Sequence, residues 1–347
     1  MSSMVLDAGK ILLIFAVFMQ IPPLLIYLER KICAFIQDRI GPNRVGPFGI
    51  LQPLADAIKL ITKESITPKN VDVFLYTVAP LFVMVPAAIS FAVVPVGADV
   101  KLWGHTLQLQ IADFHVGILF FLAITSLSVY GLTFGAWASN NKYSLYGGIR
   151  STAQMISYEV AMGLAVICVL MSSGTVYLRE MVFAQSHTYF GFLPAWNVFH
   201  QPLAFVIFLI AAFAETNRLP FDLPEAESEL VGGYHTEYSG MKFAMFFMGE
   251  YMAMISMSAI MVTLFFGGWT LPGVVDAHST TVWNALLSVV VFGIKTGAFL
   301  IFFIWIRWTL PRLRYDQLMK LGWKVLIPLA LMNLFFTAIW GLRDQIF

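Results

Sequence analysis

Eight stretches of this chain are too apolar and too long to cover a water-facing surface. No Asp, Glu, Lys or Arg lies between Lys10 and Glu29, from Val73 to Ala98, from Phe114 to Asn141, or from Val325 to Leu342. A membrane-crossing helix needs about 20 apolar residues. Eight segments meet that need, near 11–29, 74–96, 114–136, 155–174, 199–215, 243–266, 283–306 and 325–342. Backbone facing lipid must satisfy its own hydrogen bonds, and runs of this length suit helices rather than barrel strands. Composition agrees. Of 347 residues, 59% are hydrophobic and 12% charged, about half the charge of an ordinary soluble domain. The expected fold is an all-α integral membrane protein, one polytopic domain of eight transmembrane helices. A soluble globular enzyme is excluded.

The loops after spans 1, 3, 5 and 7 carry 16 Lys and Arg, whereas the termini and remaining loops carry 4. The positive-inside rule puts the first set in the cytoplasm and both termini on the other side. Trp103, Trp196, Trp269 and Trp283 then fall near outer ends, and Trp137, Trp308 and Trp323 near inner ends, as an aromatic belt does. Pro22, Pro23, Pro80, Pro86 and Pro328 lie within spans and each should bend its helix. The first apolar run lacks a long basic flank and a small-residue cleavage site, so a cleaved signal is not expected. Net charge is +1, which gives no field for nucleic acid. Cys33 and Cys168 stand far apart, with no Cys/His spacing for zinc or an iron–sulfur cluster. No glycine-rich phosphate loop follows a strand signal.

Ionisable residues inside spans cost roughly 2.5–3.5 kcal/mol at the helix centre and are functional candidates by default. Glu29 and Glu215 end spans 1 and 5, Glu159 lies about a turn inside span 4, and Glu250 lies two turns inside span 6. Glu250 is roughly 10 Å beyond Phe243, and Lys295 roughly 18 Å from Arg307, at 1.5 Å per residue. Packed together, these groups form a polar file running from the cytoplasmic side toward the midplane. Helix-end charges that snorkel or pair are the plainer account of Glu29 and Glu215. Lys295 is open to two readings, a buried salt-bridge partner or a proton-relay lysine.

The segment 216–242 is an acidic loop. Asp222, Glu225, Glu227, Glu229 and Glu237 fall in it with no Lys or Arg between Asp222 and Glu237. Crowded carboxylates raise one another's pKa, which suits proton uptake near neutral pH. Pro220, Phe221, Pro224, Gly232, Gly233 and Tyr234 read as a shaped loop rather than a solvated one. Residues 48–63 read as an amphipathic surface helix, with Leu51, Leu54, Ile58 and Ile61 on one face and Asp56, Lys59 and Lys63 on the other. Basic loops 1 and 7 beside the acidic loop predict a large protein interface on the cytoplasmic face.

Several of these motifs together resemble one family. They are Glu29-Arg-Lys, Gly-Pro-Asn-Arg-Val-Gly-Pro at 41–47, Leu-Gln-Pro-Leu-Ala-Asp-Ala-Ile-Lys at 51–59, Ser157-Tyr-Glu-Val, Pro-Phe-Asp-Leu-Pro-Glu-Ala-Glu-Ser-Glu-Leu from Pro220, Tyr234-His-Thr-Glu-Tyr-Ser-Gly, Gly249-Glu-Tyr and Pro311-Arg-Leu-Arg-Tyr-Asp-Gln. The chain is similar, over about residues 10–343, to the H subunits of bacterial NADH:quinone oxidoreductase, respiratory complex I. That resemblance implies a multi-pass protein of the bacterial inner membrane that joins the membrane arm to peripheral iron–sulfur subunits, beside small membrane subunits. It implies quinone as substrate, with flavin and iron–sulfur groups held by other chains. Carried over, Glu29, Arg30, Arg39, Asp56 and Phe221 would line or gate a quinone chamber. Asp222, Glu225, Glu227, Glu229 and Glu237 would form an acidic funnel, and Glu159, Glu215 and Glu250 a carboxylate path for proton translocation. Arg218, Lys295 and Arg307 would pair with those acids, and the surface helix and span 1 would border the quinone's way in from the bilayer. The membrane anchor of an energy-converting hydrogenase is one rival, and a stand-alone cation/proton transporter another. The transporter reading explains Lys295 and the acids but not the dense cytoplasmic loops.

Overall fold

The computed structural model describes residues 3–346 apart from 103, 190–192, 226 and 278. Trp103 and the side chain of Glu227 lie outside the described residues. The helices are α1 (Ser3–Ile36), α2 (Gln52–Thr62), α3 (Val73–Ser90), α4 (Gly117–Ala138), α5 (Lys142–Ser173), α6 (Leu178–Ala184), α7 (Asn197–His200), α8 (Pro202–Glu215), α9 (Glu227–Leu230), α10 (Gly240–Phe265), α11 (Val282–Thr309), α12 (Tyr315–Lys320) and α13 (Ile327–Ile346). Two short antiparallel hairpins, Val100–Leu102 with His105–Leu107 and Thr188–Tyr189 with Leu193–Pro194, are the only strands among the described residues. The fold is all-α and membrane-spanning. Among the described residues, seven helices are long and apolar enough to cross a bilayer, and α8 is a shorter apolar helix of 14 residues.

The centre of the bundle is α10. Nearly every residue from Tyr251 to Phe265 is buried, against α3, α11, α1 and α8. Such an all-round apolar helix is stable only when fully surrounded. By contrast, α1 and α13 lie at the edge, with Leu12, Leu13, Phe335 and Phe336 exposed for lipid.

Helix limits differ from the apolar runs in two informative places. The helix expected from 155 starts at Lys142. Asn141 caps it by accepting the Tyr143 N–H at 2.9 Å, and Gly174 ends it in the left-handed region at φ 67°. Its first turns are polar because they pack against the acidic loop: the Ser144 hydroxyl donates to the Tyr234 carbonyl at 2.9 Å. The first span does not stop at Glu29 either but continues to Ile36. Glu29 stays inside the helix because two guanidinium groups meet it there.

Pro328 leaves a different mark. It has no N–H for the Lys324 carbonyl, and the preceding turns, Leu321–Leu326, widen so that the Ile327 N–H reaches back to Gly322. The widened turn lies beside α5. The Tyr158 hydroxyl donates to the Leu318 carbonyl at 2.9 Å and the Trp323 indole to Ser157 at 3.0 Å.

Candidate functional site

The acidic loop leaves α8 at Glu215 and returns at α10, so it passes over the open ends of α5, α10 and α11. Glycine makes the fit possible at two points. Gly233 has φ 60°, and a Cβ there would collide with the Pro224 carbonyl. A Cβ on Gly147 would stand 2.7 Å from the Tyr234 nitrogen. Gln154 of α5 then holds both ends of the turn, donating to the carbonyls of Ala214 and Phe221 at 2.8 Å each.

This turn drives Arg218 into the protein, where it is 2% exposed. Its Nη1 contacts both oxygens of Glu29 at 3.0 Å, and its Nε lies 2.6 Å from Glu250 Oε1. Tyr251 completes the arrangement. Its hydroxyl donates to Glu29 Oε2 at 2.6 Å, and its ring lies under the Arg218 guanidinium at 4.5 Å. Arg307 of α11 contacts the other Glu29 oxygen. One buried cluster thus joins α1, the acidic loop, α10 and α11. Arg supplies the forked geometry needed to hold two carboxylates at once.

Around this cluster the loop acids divide. Asp222 is buried and paired with Arg312 at 2.9 Å. Phe221 is buried edge-on against Tyr158. Glu225 accepts from the Tyr234 hydroxyl at 3.3 Å and lies 3.8 Å from His235 Nδ1. Burial, then the charges of Glu250 and Asp222, pushes the Glu225 carboxyl up to about 8, against the pull of Arg307 and Arg218. Burial pushes His235 down to about 4, so it faces Glu225 as a neutral ring. Glu229 and Glu237 are elsewhere. Glu229 pairs at the surface with Arg150 at 2.6 Å, and Glu237 accepts from Asn141 at 2.6 Å.

Glu225 carries a pH prediction. Its folded pKa is raised, so between 4.5 and about 8 the folded chain keeps a proton that the unfolded chain has lost. Stability should fall as pH rises through that window and level off above it. Thermal melts of the purified protein across this range should show the slope, and Glu225→Gln should flatten it. An unchanged slope in the variant would remove Glu225 as its source.

Glu250 also borders a small cavity of about 40 Å³, whose wall includes Glu215, Asn217, Tyr234 and Ser128. That exceeds the space one water needs. Both oxygens of Glu215 are buried without a hydrogen-bond partner among the described residues, and Glu159 is its charged neighbour. The acids therefore follow one another: Glu29 and Glu250, bridged by Arg218, then the cavity, then Glu215 and Glu159.

Four candidates sit apart. Arg30 pairs with Asp56 at 2.6 Å and ties α1 to α2 at the surface. Arg39 contacts Gln37 and Cys33 near the end of α1. Lys295 does not join the acids. Its ammonium donates to the carbonyls of Phe266, Gly268 and Thr270 at 2.7, 3.1 and 2.6 Å, with the Trp196 ring 4.7 Å away. A cation there meets the negative end of the α10 dipole. Lys295→Met should leave carbonyls unpaired at about 1–3 kcal/mol each and lower the melting temperature. A relay lysine would instead lose proton transfer with no loss of stability.

Sequence reasoning missed Tyr251, Arg312 and Gln154 as members of the site. Tyr251 follows Glu250 directly, but nothing in the spacing gives its hydroxyl a partner 222 positions away.

A multi-pass membrane protein with a buried carboxylate–guanidinium cluster under a packed acidic loop is the class that fold and site define. A family described as NADH dehydrogenase matches residues 9–338. The chain is 53% identical to the NADH-quinone oxidoreductase H subunit numbered 1 of Geobacter metallireducens over 329 residues, 95% of this chain and 94% of that one. It is 51% identical to the H subunit numbered 2 of Geobacter sulfurreducens over 332 residues, 96% and 95% of the two chains. The figure for the NADH-quinone oxidoreductase H subunit of Protochlamydia amoebophila is 52% over 312 residues, 90% of each. The chain belongs to the family of NADH-quinone oxidoreductase H subunits.

Proposed function

We propose that this chain forms the membrane side of a quinone-reduction chamber in a proton-translocating NADH:quinone oxidoreductase of the bacterial inner membrane, and passes the reduction event into the membrane through its carboxylates. The observation that carries this reading is the unbroken succession from Glu29 through Arg218 and Glu250 to the cavity and Glu215. Quinone takes up two electrons and two protons to become quinol. The electrons arrive from cofactor-bearing partner subunits docked on the cytoplasmic face. This chain supplies shape, charge and protons.

Arg218 and Arg307 hold Glu29 at the end of the file, and Phe221 and Asp222 line the loop beside it. Charge gained by the quinone acts on Asp222, Glu225 and Glu250, which already interact. A shift of one pKa unit corresponds to about 1.4 kcal/mol, and moving one charge across 100 mV costs about 2.3 kcal/mol. A few coupled carboxylates match that scale.

Purification through a tag on this chain in mild detergent tests the assignment. Flavin and iron–sulfur subunits with NADH dehydrogenase activity should remain bound. A chain that elutes alone, stable and monodisperse, would overturn it in favour of a transporter.

A further inference from the structure

Past Phe265 the chain turns through Gly267 and Gly268, both left-handed, at φ 68° and 53°. Glycine is required there twice over. A Cβ on Gly267 would stand 2.8 Å from the Trp196 indole nitrogen, and one on Gly268 2.6 Å from Val182. Neutral amides cap the last helical carbonyls of α10: Gln185 donates to Thr263 at 3.1 Å and Asn197 to Leu264 at 2.8 Å. The turn then points three further carbonyls, those of Phe266, Gly268 and Thr270, at one spot. Lys295 Nζ occupies it, 2.7, 3.1 and 2.6 Å from the three oxygens. The Trp196 ring closes one side at 4.7 Å, and within the turn Trp269 and Thr270 are buried.

Size and charge select what such a ring of oxygens can hold. An ammonium group on a side chain has three donors, and the three carbonyls take all of them. Calcium draws its oxygens in to about 2.3–2.6 Å and magnesium to about 2.0–2.1 Å, so the ring is wide for either. A divalent ion would also lack a carboxylate to balance its second charge. Carbonyl oxygens alone can replace the hydration shell of a potassium ion, and an aromatic face attracts ammonium-type cations. The ring does not depend on the lysine for its shape. The Gly267 N–H donates to Gln185 at 3.0 Å, and the Thr270 hydroxyl donates to the Gly267 carbonyl at 2.7 Å. The Gly268 N–H donates to the Val262 carbonyl at 3.0 Å.

We propose that the outer end of α10 is a binding site for a singly charged cation of ammonium size, filled in this protein by the chain's own Lys295, and that a free ammonium or potassium ion occupies it once that side chain is removed. Lys295 is a tethered ligand that locks α11 to the turn. Glu250 stands on the same helix roughly 22 Å from Phe265, at 1.5 Å per residue, so the filled site also fixes the far end of the helix that carries this acid. The cation site owes nothing to the quinone chamber, and its failure would leave that reading untouched.

Thermal melts of the whole assembled enzyme carrying Lys295→Ala, in the chlorides of ammonium, potassium, lithium and choline at equal ionic strength, test this. Alanine empties the tether's path and leaves the oxygens in place. The melting temperature should fall in choline and recover in ammonium and potassium by about 2–4 °C or more, rising with the logarithm of ion concentration as a bound ligand requires. Lithium, too small for the ring, should recover less. Lys295→Met is the control, because its terminal methyl stands where the lysine Cε stood and leaves an ion no room. It should melt low in all four salts, and the native enzyme should melt alike in all four. Equal melts of Lys295→Ala in ammonium and choline would overturn the site. A gain in Lys295→Met as large as in Lys295→Ala would also overturn it, as a general salt effect. Should Lys295→Ala be too unstable to purify, heating isolated membranes in the same salts and measuring the surviving complex on native gels makes the same comparison.

Discussion

Arg218→Leu is expected to be among the most damaging single changes in this protein. The side chain is 2% exposed and touches two carboxylates, Glu29 and Glu250, from different helices. Removing it leaves two buried acids without their shared partner. Breaking a buried ion pair from one side typically costs about 3–5 kcal/mol, and Arg307 offsets part of that at Glu29 only. The melting temperature of the detergent-purified protein should drop by many degrees, and the yield of assembled complex should fall with it. Arg218→Lys keeps the charge but not the fork, so it should recover stability only partly. A wild-type melt for Arg218→Leu would show that the cluster does not hold α1, α10 and α11 together.

The second large effect separates stability from function. Glu215 and Glu250 both border the small cavity, but of the two it is Glu250 that meets a guanidinium. Neither oxygen of Glu215 accepts a hydrogen bond among the described residues. Glu215→Gln should therefore leave stability intact, because the amide keeps the shape and breaks no hydrogen bond among the described residues. Glu250→Gln should destabilise, because it leaves Arg218 with an unbalanced charge. In vesicles both variants, and Glu159→Gln with them, should uncouple quinone reduction from proton movement. On the proposed function the three act as one interacting set, so losses are expected not to add. If Glu215→Gln melts far below the native protein, an unseen partner holds that carboxylate.

Much of the fold is legible in the chain because lipid imposes a simple rule. A helix such as α11, or α4 with no charge at all, announces itself by length and apolarity. The first turns of α5 do not. Ser144, Ser151 and Gln154 look like loop residues until the loop that buries them is folded above them. The same limit applies to the site. Glu29, Glu215 and Glu250 stand out as acids in apolar runs, but the partner that joins two of them lies 189 positions from Glu29. Lys295 shows the reverse. A lone lysine in a span invites an acidic partner, yet backbone carbonyls freed by the Gly267–Gly268 turn meet its ammonium. Those carbonyls exist only because α10 ends in mid-bundle, which composition does not reveal. Glu229 and Glu237 illustrate a related limit. Sequence proximity groups them with Asp222 and Glu225, but Arg150 and Asn141 draw them to the surface side.

The most direct measurement is the number of protons moved per quinone reduced by the reconstituted enzyme carrying Glu215→Gln. Quinone reduction should proceed while proton movement is lost, because the change removes an ionisable group from the file and breaks no hydrogen bond among the described residues. A native proton ratio in that variant, and again in Glu159→Gln and Glu250→Gln, would contradict the carboxylate file as the link between quinone and membrane.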